Sequence, residues 1–164
     1  MKTILVTGGL GYIGSHTIIS LIANNYKVLI LDSNVNSSKT NLVKIKKILK
    51  QLKIPFENRI SFVKGDVRDS ILLADIFSRQ NLIDGVIHFA GYKSIERSFI
   101  DPLSYWDNNV YGSLKLLEAM QKSDYCRTLI FSSSATIYSS ILTGSLKEDN
   151  LIKPISPYGK TKAS

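Results

Sequence analysis

An α/β fold, a doubly wound parallel sheet of about five strands with flanking helices, is predicted by two features of the sequence. Short apolar runs alternate with longer segments of helical periodicity, and the first junction between them is a glycine-rich turn. The runs cover residues 3–7, 27–31, 60–63, 85–89 and 128–131. Each is rich in Val, Ile, Leu or Phe with little alternation, as parallel strands buried on both faces require. Helices are predicted over 12–25, 39–52, 70–79 and 102–122. Strand–helix–strand units wind right-handedly, and ligands of such sheets bind beyond the carboxyl ends of the strands. The five loops that follow the strands are therefore where function is expected. With 164 residues and 44% hydrophobic content, the chain suffices for one packed domain.

The formal charge of +8 raises the question of nucleic acid. Much of the excess comes from Lys39, Lys44, Lys46, Lys47, Lys50 and Lys53, interleaved with Leu42, Ile45, Leu49 and Leu52 at helical spacing. That is an amphipathic helix with a solvated lysine face. No aromatics alternate with the lysines to stack bases, and no metal-ligand spacing accompanies them, so neither a nucleic-acid partner nor a metal is expected. The charge suits attraction of anionic small molecules. No apolar run is long enough to span a bilayer, so no membrane association is expected. The start runs directly into a strand rather than a signal peptide, and a cytoplasmic protein is the expectation. Cys126 is the single cysteine, which excludes an internal disulfide and fits a small buried side chain.

After the first strand comes Gly8-x-x-Gly11-Tyr12-Ile13-Gly14. Glycines let backbone approach a pyrophosphate, and the following helix directs its free amides and positive dipole end at the phosphates. Asp32 ends the second strand at the spacing of a Rossmann-type dinucleotide fold. A carboxylate there accepts both ribose hydroxyls and repels a 2′-phosphate, which favours NAD over NADP; alternatively it caps the loop that follows. Asn36 and Ser37 in that loop could add hydrogen bonds to adenosine. The third strand ends in Asp66-Val67, where Asp66 could receive the adenine amine or serve as an ordinary turn residue. The fourth ends in His88-Phe89-Ala90-Gly91, small enough in part for backbone to line the dinucleotide. His88 itself reads as a core histidine.

The fifth strand leads into Ser132-Ser133-Ser134, and further on stands Tyr158-x-x-x-Lys162. If Pro157 opens a helix, Tyr158 and Lys162 share a face one turn apart. A neighbouring ammonium stabilises a phenolate, which lets tyrosine serve as a general base. A serine hydroxyl from the strand end could hold the substrate oxygen at the same point. Such a Ser/Tyr/Lys set beside a nicotinamide suits hydride transfer at a carbinol carbon.

Taken together these segments resemble the extended short-chain dehydrogenases/reductases, and among them the UDP-hexose 4-epimerase branch, over essentially the whole chain. The resemblance rests on Val6-Thr7-Gly8-Gly9-x-Gly11-Tyr12-Ile13-Gly14-Ser15-His16-Thr17, His88-Phe89-Ala90-Gly91-x-Lys93 and Tyr105-x-Asp107-Asn108-Asn109-Val110. It continues through Phe131-Ser132-Ser133-Ser134-Ala135-Thr136-x-Tyr138 and Ser156-Pro157-Tyr158-Gly159-Lys160-x-Lys162. It implies that Tyr158 takes the proton of the sugar C4 hydroxyl as C4 is oxidised by tightly held NAD. It further implies that Ser134 binds the C4 oxygen and that Lys162 holds the nicotinamide ribose. The 4-keto sugar then turns over and is reduced on its other face. Lys93 and Asn108 are implied to line the cofactor site, Lys93 also touching substrate. Related dehydratases carry an Asp-Glu pair where Ala135-Thr136 stand here, so dehydration is disfavoured. Ser139 and Arg97 depart from the family pattern, which has glycine and glutamate there. The relatives pair as homodimers through two helices, one of them the helix over 102–122. Because Ser164 follows Lys162 by two residues, residues 1–164 are expected to be a truncated nucleotide-binding domain lacking the substrate domain and nearly inactive alone. The alternatives are a non-catalytic dinucleotide-binding module or another NAD-dependent sugar-nucleotide epimerase.

Overall fold

A computed structural model of the chain describes residues 1–78, 82–138 and 145–164. The predicted helix end at Arg79 and the departure at Ser139 lie outside the described residues. Five strands form one parallel sheet: β1 (Thr3–Thr7), β2 (Lys27–Asp32), β3 (Ile60–Lys64), β4 (Gly85–His88) and β5 (Leu129–Phe131). Their order is β3-β2-β1-β4-β5. The chain runs outward from β1 to β3, then crosses back to β4 on the other side of β1. The connections leaving β1 and β4 therefore diverge to opposite faces, which opens a crevice between them at the carboxyl ends.

Successive residues of each strand feed opposite faces. Val6, Val28 and Ile30 pack against Ile18 and Ile22 of α1 (Tyr12–Ala23) and Ile45 and Leu49 of α2 (Thr40–Gln51). Leu5, Leu31 and Val86 pack on the other face against Leu73 and Ile76 of α3 (Ser70–Ser78) and Leu116 and Met120 further on. Cys126 is buried in this second layer, and loss of hydration pushes its thiol up. Leu52 departs from the expected apolar row and is exposed. Helix α2 stops at Gln51, and Lys53 takes a left-handed φ of 55° that turns the chain away.

The single helix predicted over 102–122 is a composite. It comprises α5 (Pro102–Tyr105), a π turn (Trp106–Tyr111) and α6 (Gly112–Lys122). A further helix, α4 (Ile95–Ile100), precedes it and was not foreseen. Ser94 caps α4 by accepting the Arg97 amide at 3.3 Å. Asp101 separates α4 from α5 with an extended φ of −134° and ψ of 73°. The following Pro102 excludes the helical region at that residue, so the break is local sterics. After β5, Ser134 caps a 3₁₀ turn (Ala135–Ile137), and Ser156 caps α7 (Pro157–Ala163), accepting the Gly159 amide at 2.9 Å. Proline occupies the first position of α7, as the sequence led us to expect.

Candidate active site

A cavity of about 1050 Å³ lies across the carboxyl ends of the strands. Its floor is the turn between β1 and α1, with Gly8, Gly11, Tyr12, Ile13 and Gly14 on the wall. Gly8 has φ of 65°, and a Cβ there would stand 2.7 Å from the Ala90 amide nitrogen. A Cβ on Gly14 would stand 2.6 Å from the Gly8 carbonyl oxygen. Gly14 thus packs the helix onto the turn itself rather than onto a strand. Gly11 at the N-cap of α1 offers no side-chain cap, and no acidic residue occupies the first turn. Among the described residues no carboxylate accepts from its N-terminal amides, and the turn fits a phosphate group.

Asp32 is 7% exposed, lines the cavity and caps the loop that follows β2. One oxygen accepts the Leu10 amide at 2.8 Å, which ties the glycine turn to β2. The other accepts the Asn34 amide at 2.9 Å and the Ser37 hydroxyl at 2.6 Å, which caps the following loop. Asn36 and Ser37 line the cavity beside it. Asp66 and Val67 form the next part of the wall. The Asp66 carboxylate is gripped by Arg68, which donates from Nε at 2.9 Å and Nη2 at 2.6 Å. These hydrogen bonds hold its carboxyl below the usual range. Arg68 also donates through Nη1 to Asp107 in the π turn. Sequence reasoning passed over Arg68; its place two residues after Asp66, at a helix-free strand end, was the available signal.

Past β4, Phe89, Ala90 and Gly91 line the cavity, with Lys93 and Arg97 on the same wall. Asn108 faces it from the π turn and is 8% exposed, its amide donating to Asn109 Oδ1 at 3.0 Å. Asn109 was quoted only as part of a motif, yet its side chain copies a strand's pairing. It accepts the Tyr92 amide at 2.7 Å and donates to the Tyr92 carbonyl at 2.9 Å. His88 is 1% exposed and does not reach the cavity wall. Burial first, and then the Lys162 ammonium, push it down to about 4.

Ser134, Tyr158 and Lys162 line the same cavity. Ser134 Oγ lies 2.9 Å from Thr136 Oγ1, so Thr136 supports the serine. Tyr158 is 9% exposed, its ring set edgewise against Tyr105 at 6.4 Å. Lys162 donates to the Ser132 carbonyl at 2.9 Å and stands over the Phe131 ring at 4.6 Å. Burial pushes its ammonium down to about 8.

A dinucleotide-type α/β sheet whose cavity also gathers Ser, Tyr and Lys defines a protein of the short-chain dehydrogenase/reductase class. The sequence matches the family model for GDP-mannose 4,6 dehydratase over residues 5–164, and the chain belongs to that family. It is 45% identical to the UDP-glucose 4-epimerase of Neisseria meningitidis (strain Z2491) over 99% of this chain and 46% of the relative. It is 42% identical to UDP-glucose 4-epimerase 2 of Arabidopsis thaliana over 98% of this chain and 44% of that protein. The chain thus spans a little under half the length of these relatives. Among solved structures, UDP-glucose 4-epimerase of Bifidobacterium longum in complex with NAD+ and UDP superposes with a TM-score of 0.89. That pair is 38% identical, covering 99% of this chain and 46% of the other. The Stenotrophomonas maltophila enzyme, with bound NAD and formylated UDP-arabinopyranose, gives 0.89 at 37% identity, over 99% of this chain and 46% of the other.

Proposed function

We propose that this chain is the nucleotide-binding half of an NAD-dependent UDP-hexose 4-epimerase that interconverts UDP-glucose and UDP-galactose. The observation that carries the reading is the convergence of the glycine turn, Asp32, Ser134, Tyr158 and Lys162 on one cavity. The amides of α1 and the turn at Gly8 would hold the pyrophosphate of NAD. Asp32, Asn36 and Ser37 would hold the adenosine ribose, and Asp66 and Val67 the adenine. Phe89, Ala90, Gly91, Lys93 and Asn108 would line the rest. Bound NAD supplies reversible oxidation and reduction at the sugar C4.

The chain's own groups do the remaining work. Tyr158 takes the C4 hydroxyl proton and later returns it. Ser134 holds the C4 oxygen, Lys93 contacts the sugar nucleotide, and Lys162 orients the nicotinamide ribose beside Tyr158. With Ala135 and Thr136 beside Ser134 there is no carboxyl pair to remove water, which supports epimerisation over dehydration. The length of the relatives supports a further segment that completes the sugar pocket and covers Ile130 and Phe131, which stand exposed at the β5 edge of the sheet. Residues 1–164 alone would then turn over little substrate. Exposed Leu103, Trp106, Leu114 and Leu117 recur at helical spacing along α5, the π turn and α6. They support pairing with a second copy. The described residues hold no helix long and apolar enough to cross a membrane.

The test is to assay the complete gene product for UDP-galactose turnover and then to replace Tyr158 by Phe. Loss of a positioned acid–base group is expected to cost about 10²–10⁴ in kcat with NAD content unchanged. Native kcat in Tyr158→Phe, or an inactive complete protein that still binds NAD, defeats the reading.

A further inference from the structure

A buried polar assembly that the chemistry above leaves unused is centred on His88. It stands on β4 opposite Thr7 of β1 in the parallel register. Its Nδ1 is 2.6 Å from Thr7 Oγ1, and its Nε2 is 2.9 Å from Ser113 Oγ in the first turn of α6. The protons can be ordered from their partners. Ser113 gives its only hydroxyl proton to the Asn109 carbonyl, so Nε2 carries hydrogen and donates to Ser113. Thr7 Oγ1 accepts the Ala90 amide at 3.3 Å and keeps its own proton for Nδ1. A neutral ring protonated on Nε2 satisfies every member.

Both ends of this chain of hydrogen bonds reach the site. Thr7 immediately precedes Gly8 of the phosphate turn. Beyond Ser113, the Asn109 amide donates to Thr161 Oγ1 at 3.0 Å, and Thr161 Oγ1 donates to the Tyr158 carbonyl at 2.7 Å. The His88 backbone carbonyl accepts the Ser132 amide at 3.2 Å, and the Ser132 carbonyl in turn accepts Lys162. A rigid ring thus sets the distance between β1 and the π turn. In a site shielded from water such a chain is strong when complete and costly when broken.

We propose that His88, uncharged, is a positioning residue: through Thr7 and Ser113 it fixes the π turn, and with it the helix of Tyr158 and Lys162, against the nucleotide loop. The inference rests on the epimerase reading for its kinetic consequence, and its geometry has a separate readout.

The experiment uses the complete gene product. In His88→Asn the shorter amide can still accept from Thr7 but cannot reach Ser113. NAD affinity and KM for UDP-galactose are expected to stay within about 2-fold, while kcat falls by about 10-fold or more, as small misplacements of reacting groups do. His88→Gln, which reaches towards Ser113, is expected to recover part of kcat. Ser113→Ala is expected to repeat the loss with His88 intact, and it carries the test if His88→Asn does not fold. In the native protein, nitrogen shifts of the labelled His88 ring are expected to report hydrogen on Nε2. Native kcat in a folded Ser113→Ala variant, or a ring protonated on Nδ1, overturns the proposal. A native protein that binds NAD but leaves UDP-galactose unchanged overturns the epimerase reading instead, and the tautomer still decides the geometry.

Discussion

Lys162 lines the cavity at a cost in stability. Its pKa of 10.5 falls to about 8 because burial strips water from the ammonium. A depression of that size costs the fold about 3 kcal/mol near neutral pH. The hydrogen bond to the Ser132 carbonyl returns part of this, about 1–2 kcal/mol. Lys162→Met is therefore expected to be inactive and yet more stable by about 1 kcal/mol at pH 7, read from denaturant unfolding. The sign with pH follows from the protons bound. Between about pH 8 and 10.5 the unfolded chain holds the Lys162 proton and the folded one does not. The native protein therefore gains stability across that window, and the advantage of Lys162→Met disappears by its upper end. An advantage that persists at pH 11 would refute this assignment of the cost.

At the scale of elements, most of what departs from simple periodicity lies at helix ends. Helix α2 closes with Lys53 at a φ of 55°, its amide donating to the Lys50 carbonyl at 3.1 Å and the Ile54 amide to the Leu49 carbonyl at 3.0 Å. A side chain in the left-handed region is strained, whereas glycine enters it freely. The Lys53 side chain is exposed. Lys53→Gly is accordingly expected to stabilise the fold by about 0.5–1 kcal/mol, measured as a shift in the denaturant midpoint with unchanged slope. The π turn is the other such feature. It brings Asn108 to the cavity wall and Asn109 against Tyr92 within one stretch of helix.

For the whole molecule, the distribution of charge and apolar surface separates solvent from partner. The lysines of α2 face water, and Ile45 and Leu49 beneath them are fully buried. On α5 and α6, by contrast, Leu103 is 78% and Leu114 52% exposed. Rows of exposed leucine are costly in water and typical of surfaces that a partner covers. Joint replacement of Leu114 by Glu and Leu117 by Lys in the complete protein is expected to convert a dimer into a monomer by sedimentation. A native protein that is already monomeric would remove the pairing proposal and leave the nucleotide site untouched.

What the sequence determined by itself were the local requirements. Strand positions follow from unbroken β-branched runs, the phosphate turn from glycines that backbone sterics demand, and the start of α7 from Ser156 and Pro157. Each depends on residues adjacent in the chain, so one stretch of sequence suffices. That Asp32, Ser134, Tyr158 and Lys162 line one cavity was foreshadowed locally, for Asp32 and Ser134 by their place at strand ends and for Tyr158 and Lys162 by their four-residue spacing behind Pro157. Tertiary structure alone decided the rest. The π turn has no compositional mark in Trp106–Tyr111. Tyr92 and Thr161 beside Asn109, and Thr7 beside His88, come from other elements, up to 81 positions away in sequence for Thr7 and His88. Such long-range pairings are set by how the sheet stacks its strands, and no pattern within a single segment encodes them.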